Sequence, residues 1–220
     1  MYLSRICLSP DALEDARFWR TLESPYRLHQ AIWDLFADGP DRRRDFLYRL
    51  DREVKRTSVF ALSDREPPNP RGDWRVETKE FRPVLRTGER LAFSLRANPV
   101  ITRDGDRHDV VMEEKRRLRQ AGTPKNLWPT GAQLAQSAGA SWLASRAAKH
   151  GFAADPSEVL VEAYEVHTFE KPGGRSIRFA TCDFRGFLTV SDPETLLSTL
   201  RQGIGPAKGF GCGLLLIRRL

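Results

Sequence analysis

The stretch Glu158-Val159-Leu160-Val161-Glu162-Ala163-Tyr164-Glu165-Val166-His167-Thr168-Phe169, followed by Lys171-Pro172-Gly173-Gly174 and then by Arg175 through Val190, decides the fold class. It reads as two long β-strands, 158–169 and 175–190, joined by a tight turn. Working outward on the N-terminal side, an Ala-rich helix covers 131–150, a basic irregular stretch covers 98–130, and Leu91-Ala92-Phe93-Ser94-Leu95-Arg96-Ala97 alternates as a strand over 90–97. On the C-terminal side, Ser191-Asp192-Pro193-Glu194 supplies a cap followed by a proline, and the helix it opens runs through Leu196, Leu197 and Leu200 and ends before Gly203. Leu214-Leu215-Leu216-Ile217-Arg218 forms the last strand. The order is β-α-β-β-α-β, that of a ferredoxin-like unit.

The first half gives a similar order. Residues 2–8 alternate as a strand, and Ser24-Pro25 starts a helix that stops at Asp38-Gly39-Pro40. Phe46 through Leu50 and Thr57 through Leu62 read as strands joined by the charged turn Asp51-Arg52-Glu53. Glu66-Pro67-Pro68-Asn69-Pro70-Arg71-Gly72 is a loop before the strand Trp74 through Phe81, and it stands where a second helix belongs. The expectation is an α+β chain of two tandem ferredoxin-like (RRM-like) βαββαβ domains, 1–86 and 87–220.

Composition narrows the function. The 220 residues carry 36 Lys+Arg against 29 Asp+Glu, a net charge of +7, with 12 Phe and 5 Trp to build cores. No run approaches the roughly 20 apolar residues of a membrane span, and the start lacks a basic region followed by an apolar signal core, so an intracellular, cytoplasmic location is expected. Cys7, Cys182 and Cys212 are odd in number, far apart and set among apolar residues, while His29, His108, His150 and His167 are isolated. Neither a disulfide framework nor a metal site is expected. The surplus of positive charge makes a polyanion the first partner to consider.

Three features could carry chemistry. On the first helix Leu28, Ile32, Leu35 and Phe36 fall within about 100° and form the buried stripe, while Tyr26, His29 and Trp33 fall within about 60° on a flank. A phenol and an imidazole facing one spot suit RNA cleavage by its own 2′-hydroxyl, which needs a proton acceptor for that hydroxyl and a donor for the leaving 5′ oxygen. The tyrosine would hold the phosphate or orient the sugar. The plain alternative is the wet edge of a core.

The second feature is Gly203-Ile204-Gly205-Pro206-Ala207-Lys208-Gly209-Phe210-Gly211-Cys212-Gly213, whose glycines expose backbone amides beside Lys208. It is neither a dinucleotide fingerprint nor a Walker motif, and it imitates the RNA-recognition consensus for only four positions. A tight turn of close-packed backbone is the alternative. The third feature is the set of basic stretches: Arg103, Arg107, His108, Lys115, Arg116, Arg117, Arg119 and Lys125, with Arg175 and Arg178 at the later turn. Together they suit an A-form RNA stem, which is recognised through phosphates and shape. Glu113-Glu114-Lys115-Arg116-Arg117 taken alone reads as a solvated helix face, and Arg42-Arg43-Arg44 as a solvated turn.

Met1-Tyr2-Leu3-Ser4-Arg5, Tyr26-Arg27-Leu28-His29-Gln30-Ala31-Ile32-Trp33-Asp34-Leu35-Phe36, Phe46-Leu47-Tyr48-Arg49, Leu95-Arg96-Ala97-Asn98-Pro99, Arg107-His108-Asp109-Val110 and the terminal Gly203 through Leu215 stand in one order and spacing along essentially the whole chain. In these blocks the sequence resembles the CasE-type CRISPR RNA-processing endoribonucleases of the type I-E Cascade complex. The resemblance implies two ferredoxin-like domains and metal-independent cleavage, without cofactor, at the base of the CRISPR repeat stem-loop. It implies attack by the 2′-hydroxyl, retention of the guide RNA, and assembly with other Cascade subunits. It assigns catalysis to His29 and Tyr26. It assigns RNA binding to the glycine-rich loop, hence Gly205, Lys208, Gly209 and Gly211, and to the basic segment, hence Arg103, Arg107, Lys115 and Arg116, with Arg175 placed by position. Where many members carry Gly-Lys-Arg, this sequence has Asp104-Gly105-Asp106-Arg107.

Overall fold

The computed structural model describes residues 1–9, 12, 20, 21, 24–36, 44–53, 56–67, 74–170, 174 and 176–220. Arg175, Arg42, Arg43, Asp38-Gly39-Pro40 and most of the Pro-rich stretch lie outside them, and so does Lys171-Pro172-Gly173.

The first sheet holds β1 (Tyr2–Leu8), β2 (Phe46–Glu53), β3 (Arg56–Ser63) and β4 (Trp74–Glu80), with α1 (Pro25–Phe36) between β1 and β2. Its order is β2-β3-β1-β4, antiparallel at β1·β3, β1·β4 and β2·β3. That is the ferredoxin-like arrangement. The charged residues expected to turn are strand residues instead, since Asp51↔Ser58, Arg52↔Thr57 and Glu53↔Arg56 continue the ladder. Asp51 tolerates the strand because Arg49, two residues away on the same face, binds it at 2.6 Å.

The second sheet contains β5 (Arg90–Ala97), β8 (Phe152–Ala153), β9 (Val159–Glu170), β10 (Ser176–Val190) and β11 (Leu215–Arg219). β11-β5-β10 run side by side and β9 adds to the outer edge of β10, which again is the ferredoxin-like order. α3 (Gly131–Ala147) and α4 (Pro193–Gln202) are its two crossover helices. Asp192 accepts from the amides of Glu194 and Thr195, which is the expected cap. The Ala-rich helix ends at Ala147, and a 3-10 turn takes Ala148–His150 to Gly151.

The stretch 98–130 is not irregular. β6 (Val100–Arg103) and β7 (Asp106–Asp109) form a hairpin, and α2 (Val110–Gln120) follows. Asp104 and Gly105 take φ of 52° and 83°, so the Asp-Gly pair that departs from the family pattern is a two-residue hairpin turn. Asp109 then caps α2 through the amide of Met112 at 2.8 Å.

Two cores hold the units. Leu28, Ile32, Leu35 and Phe36 of α1 pack with Ile6, Val59 and Ala61 of the first sheet. Full burial of each large aliphatic side chain contributes about 1.5–3 kcal/mol. The other face of that sheet sends Leu47 and Leu62 into the core of the second unit, among Leu91, Phe93, Leu95, Trp142 and Phe184. Arg49 donates to Ser94 at 3.1 Å, and Arg96, held by both oxygens of Asp183, donates to the carbonyl of Leu50 at 3.0 Å.

Candidate active site

Ser24 and Pro25 fix where α1 begins. The amide of Leu28 donates to the Ser24 carbonyl at 2.9 Å and that of Arg27 to its hydroxyl at 3.4 Å. With the four apolar residues turned inward, the flank falls at the domain edge and Tyr26, His29 and Trp33 are each half-buried there. They line a cavity of about 410 Å³ together with Gln30, Asp34 and Phe210. The His29 ring lies 6.0 Å from Trp33 and meets Phe210 edge to face at 6.0 Å. Its Nδ1 is buried. Gln30 donates to the Tyr26 hydroxyl at 3.5 Å. Phe210 belongs to the glycine-rich loop, so the structure brings the first and second sequence features to one place.

That loop covers the edge of β2. Gly203 has φ of 74° and no room for a side chain, because a Cβ would stand 2.8 Å from the Gly213 carbonyl oxygen and 2.8 Å from Leu47. The backbone closes on itself and on β5 through Ile204 N–H to Gly213 O at 3.0 Å and Gly213 N–H to Arg96 O at 2.7 Å. Gly205 backs onto Trp142 and Gly211 onto the ring of Tyr48, so both face packed protein. Gly209 differs. Its carbonyl accepts from the Tyr48 hydroxyl at 2.7 Å, and the place of its missing side chain faces His29 and Arg44. Burial holds the Tyr48 phenol well above its ordinary range. Lys208, the residue before Gly209, is lowered from its ordinary value by burial and then by the nearby charge of Arg44.

Arg44 is the residue that the sequence reading missed. It is a half-buried cation beside the candidate site rather than part of a solvated turn, and burial lowers its pKa. Its neighbours Lys208 and Gly209 come from the far end of the chain, so no local pattern marks it. Phe210 carries a partial signal, as the one aromatic among the glycines.

The basic segment is organised around a carboxylate. Glu113 is 8% exposed and is gripped by Arg103 at 2.9 Å and by Arg116 through two hydrogen bonds. The hydrogen bond from Arg116 and the charges of both guanidiniums hold its carboxyl down at about 2. Its helix face is therefore not simply solvated. Arg107 is exposed on β7 and Lys115 half-exposed on α2, and neither is ion-paired to a described residue.

His150 and His167 are tied into the fold. His150 meets Thr199 at 3.1 Å and His167 meets Thr181 at 2.9 Å. Burial pushes the thiols of Cys182 and Cys212 up to about 12, far from a nucleophile's range. Among the described residues no group of three His, Cys, Asp or Glu side chains is placed to hold a metal ion, and no helix is long and apolar enough to cross a membrane.

The chain is similar to known proteins over nearly its whole length. The chain is 32% identical over 217 residues to the CRISPR system Cascade subunit CasE of Escherichia coli K12, covering 98% of each. It is 30% identical over 239 residues to the CRISPR-associated endoribonuclease Cse3 of Thermus thermophilus, again covering 98% of each. Among solved structures, CRISPR endoribonuclease Cse3 bound to a 19-nucleotide RNA superposes with a TM-score of 0.75 at 26% identity, over 99% of this chain and 100% of that one. Thermus thermophilus Cse3 bound to an RNA representing a pre-cleavage complex superposes with a TM-score of 0.68 at 26% identity, over 99% and 98%. The family described as CRISPR associated protein matches residues 1–219, and the chain, a pair of tandem ferredoxin-like units, belongs to that family.

Proposed function

We propose that this chain is a metal-independent endoribonuclease that cuts CRISPR precursor RNA at the base of the repeat stem-loop and keeps the mature guide RNA as a cytoplasmic subunit of a Cascade-type assembly. The observation that carries this is the cavity shared by Tyr26, His29 and Phe210, in a chain related over its whole length to a named endoribonuclease. His29 exchanges protons through Nε2 with the 2′-hydroxyl or the leaving 5′ oxygen, and Tyr26 orients the ribose or phosphate beside it. Arg107, Lys115 and Lys208 bind RNA phosphates. Arg103 and Arg116 add the donors that Glu113 leaves open, Arg175 reaches the stem, and the backbone of Gly205, Gly209 and Gly211 shapes the loop that the strand passes. The catalytic helix belongs to a domain of residues 1–86 and the basic segment and glycine-rich loop to one of 87–220, divided in the span between β4 and β5.

The test is cleavage of a labelled repeat RNA in EDTA beside the same RNA with a 2′-deoxy nucleotide just upstream of the cut. The first is cleaved and the second is not, and His29→Ala slows cleavage by about 10²- to 10⁴-fold while hairpin affinity stays within a few-fold. Tight binding of the intact repeat without cleavage would instead establish a non-catalytic hairpin-binding subunit.

A further inference from the structure

We propose that Arg44 and Lys208 form a phosphate subsite for the RNA backbone, in the cleft beside the Tyr26/His29 cavity, which takes the phosphate adjacent to the scissile one. This rests on the endoribonuclease reading above.

The two cations line an open cleft of about 820 Å³ between the start of β2 and α4, with Ser198, Gln202 and Leu47 among its other walls. Both are half-buried, and neither makes an ion pair to a described residue. Asp45, Asp64 and Glu194 line the same cleft, as does a third cation, Arg201; Asp45 pairs with Arg65 at 2.9 Å, Asp64 lies 4.0 Å from Arg201, Glu194 is exposed in the first turn of α4, and none of the three pairs with Arg44 or Lys208. Two partly desolvated like charges in one cleft, with no carboxylate paired to either, are unfavourable until an anion arrives. The depressed values of both groups, Lys208 partly through Arg44, report that cost.

Geometry separates this anion from the one His29 serves. The point where a Gly209 side chain would begin lies 3.4 Å from Arg44 Nη1, 3.6 Å from His29 Cε1 and 3.8 Å from His29 Nδ1. Arg44 and the Nδ1–Cε1 edge of the imidazole thus face the same bare point of Gly209, Arg44 from the cleft that Lys208 lines and His29 from the cavity that Phe210 lines. A phosphate in reach of Nε2 occupies the other cavity. A strand draped over Gly209, whose carbonyl Tyr48 ties down, places successive phosphates on the two sides.

The experiment uses an uncleavable repeat hairpin, 2′-deoxy at the cut, in which each phosphate flanking the cut is replaced in turn by a neutral methylphosphonate. With the wild-type full-length chain, the neutral linkage next to the scissile position weakens binding by about tenfold, the worth of one charge-assisted contact. With Arg44→Ala or Lys208→Ala that linkage carries no further penalty, every other linkage costs what it did before, and Arg44→Lys restores the penalty. The subsite is overturned if Arg44→Ala leaves all the penalties in place, or if the one it removes is at the scissile phosphate itself. Failure of the wild-type chain to hold the unmodified hairpin would overturn the RNA reading instead, and the subsite with it.

Discussion

Arg103 and Arg116 close on one carboxylate, that of Glu113, whereas Arg44 and Lys208 line one cleft with no carboxylate paired to either. The first group comes from a hairpin and a helix next to one another in sequence. Half of its positive charge is cancelled at the moment the chain folds, and the cluster ties β6 to α2. The second joins the start of β2 to the glycine-rich loop, and its charges add. Compensated cations belong to the fold first and to a ligand second. Uncompensated ones weigh against the fold and stay available for an anion, the usual trade between stability and function.

The largest test of this contrast is Glu113→Ala. Removing the shared carboxylate strands two guanidiniums, and the thermal midpoint falls by roughly 5–10 °C. The charge is what matters, and pH isolates it. The folded value of about 2 lies below the ordinary 4.5, so the ionised carboxylate stabilises the folded chain above pH 4.5, and this contribution drains away as pH falls from there toward 2. The stability gap between wild type and Glu113→Gln in urea unfolding is therefore wide at pH 7 and narrow at pH 3. A gap of constant width would mean that packing, not charge, holds the cluster.

A smaller effect of opposite sign is expected on the other side. In the absence of RNA, Arg44→Ala stabilises the chain by about 0.5–1 kcal/mol, since it removes a desolvated charge and the repulsion on Lys208. Lys208 is itself depressed below its ordinary 10.5, so its folded-state penalty is present at neutral pH and is relieved as pH rises toward 10.5. Lys208→Met lacks that rise. Destabilisation by Arg44→Ala in urea would make Arg44 a structural cation like Arg103 and end the comparison.

These sites differed in how much of them the sequence revealed. The buried stripe of α1, its tyrosine and histidine flank, and the Asp192-Pro193 start of α4 depend on residues within a few positions of one another, so wheel spacing and cap chemistry exposed them. The hairpin at Asp104-Gly105 was just as local but was hidden by its charge, because a basic stretch invites a solvated reading before its turn residues are weighed. The burial of Glu113 needed Arg103 from the hairpin and Arg116 from the helix together. Arg44 left no local trace at all. What sets it beside the candidate site is the approach of Lys208 and Gly209 from the far end of the chain, and a triple arginine before a strand looks the same with or without that approach. The glycine-rich loop announced its backbone freedom, yet which glycine faces the site depends on Tyr48 and Trp142 filling the space behind Gly211 and Gly205.

The finest difference lies within the basic segment. Arg107 is exposed with no counter-charge among described residues, while Arg103 already spends part of its charge on Glu113. If both touch RNA, counterion release distinguishes them, because each phosphate neutralised on duplex contributes about 0.9 to the slope of log K against log salt. Arg107→Ala lowers that slope by about 0.9 and leaves the thermal midpoint where it was. Arg103→Ala lowers the slope by less and the midpoint by more, since the fold loses a partner of Glu113 and the RNA loses a cation already half neutralised. Hairpin affinity measured across a salt series reads both slopes. Equal changes for the two variants would show that Glu113 does not screen Arg103 from RNA, and that the two cations differ only in how firmly they are held.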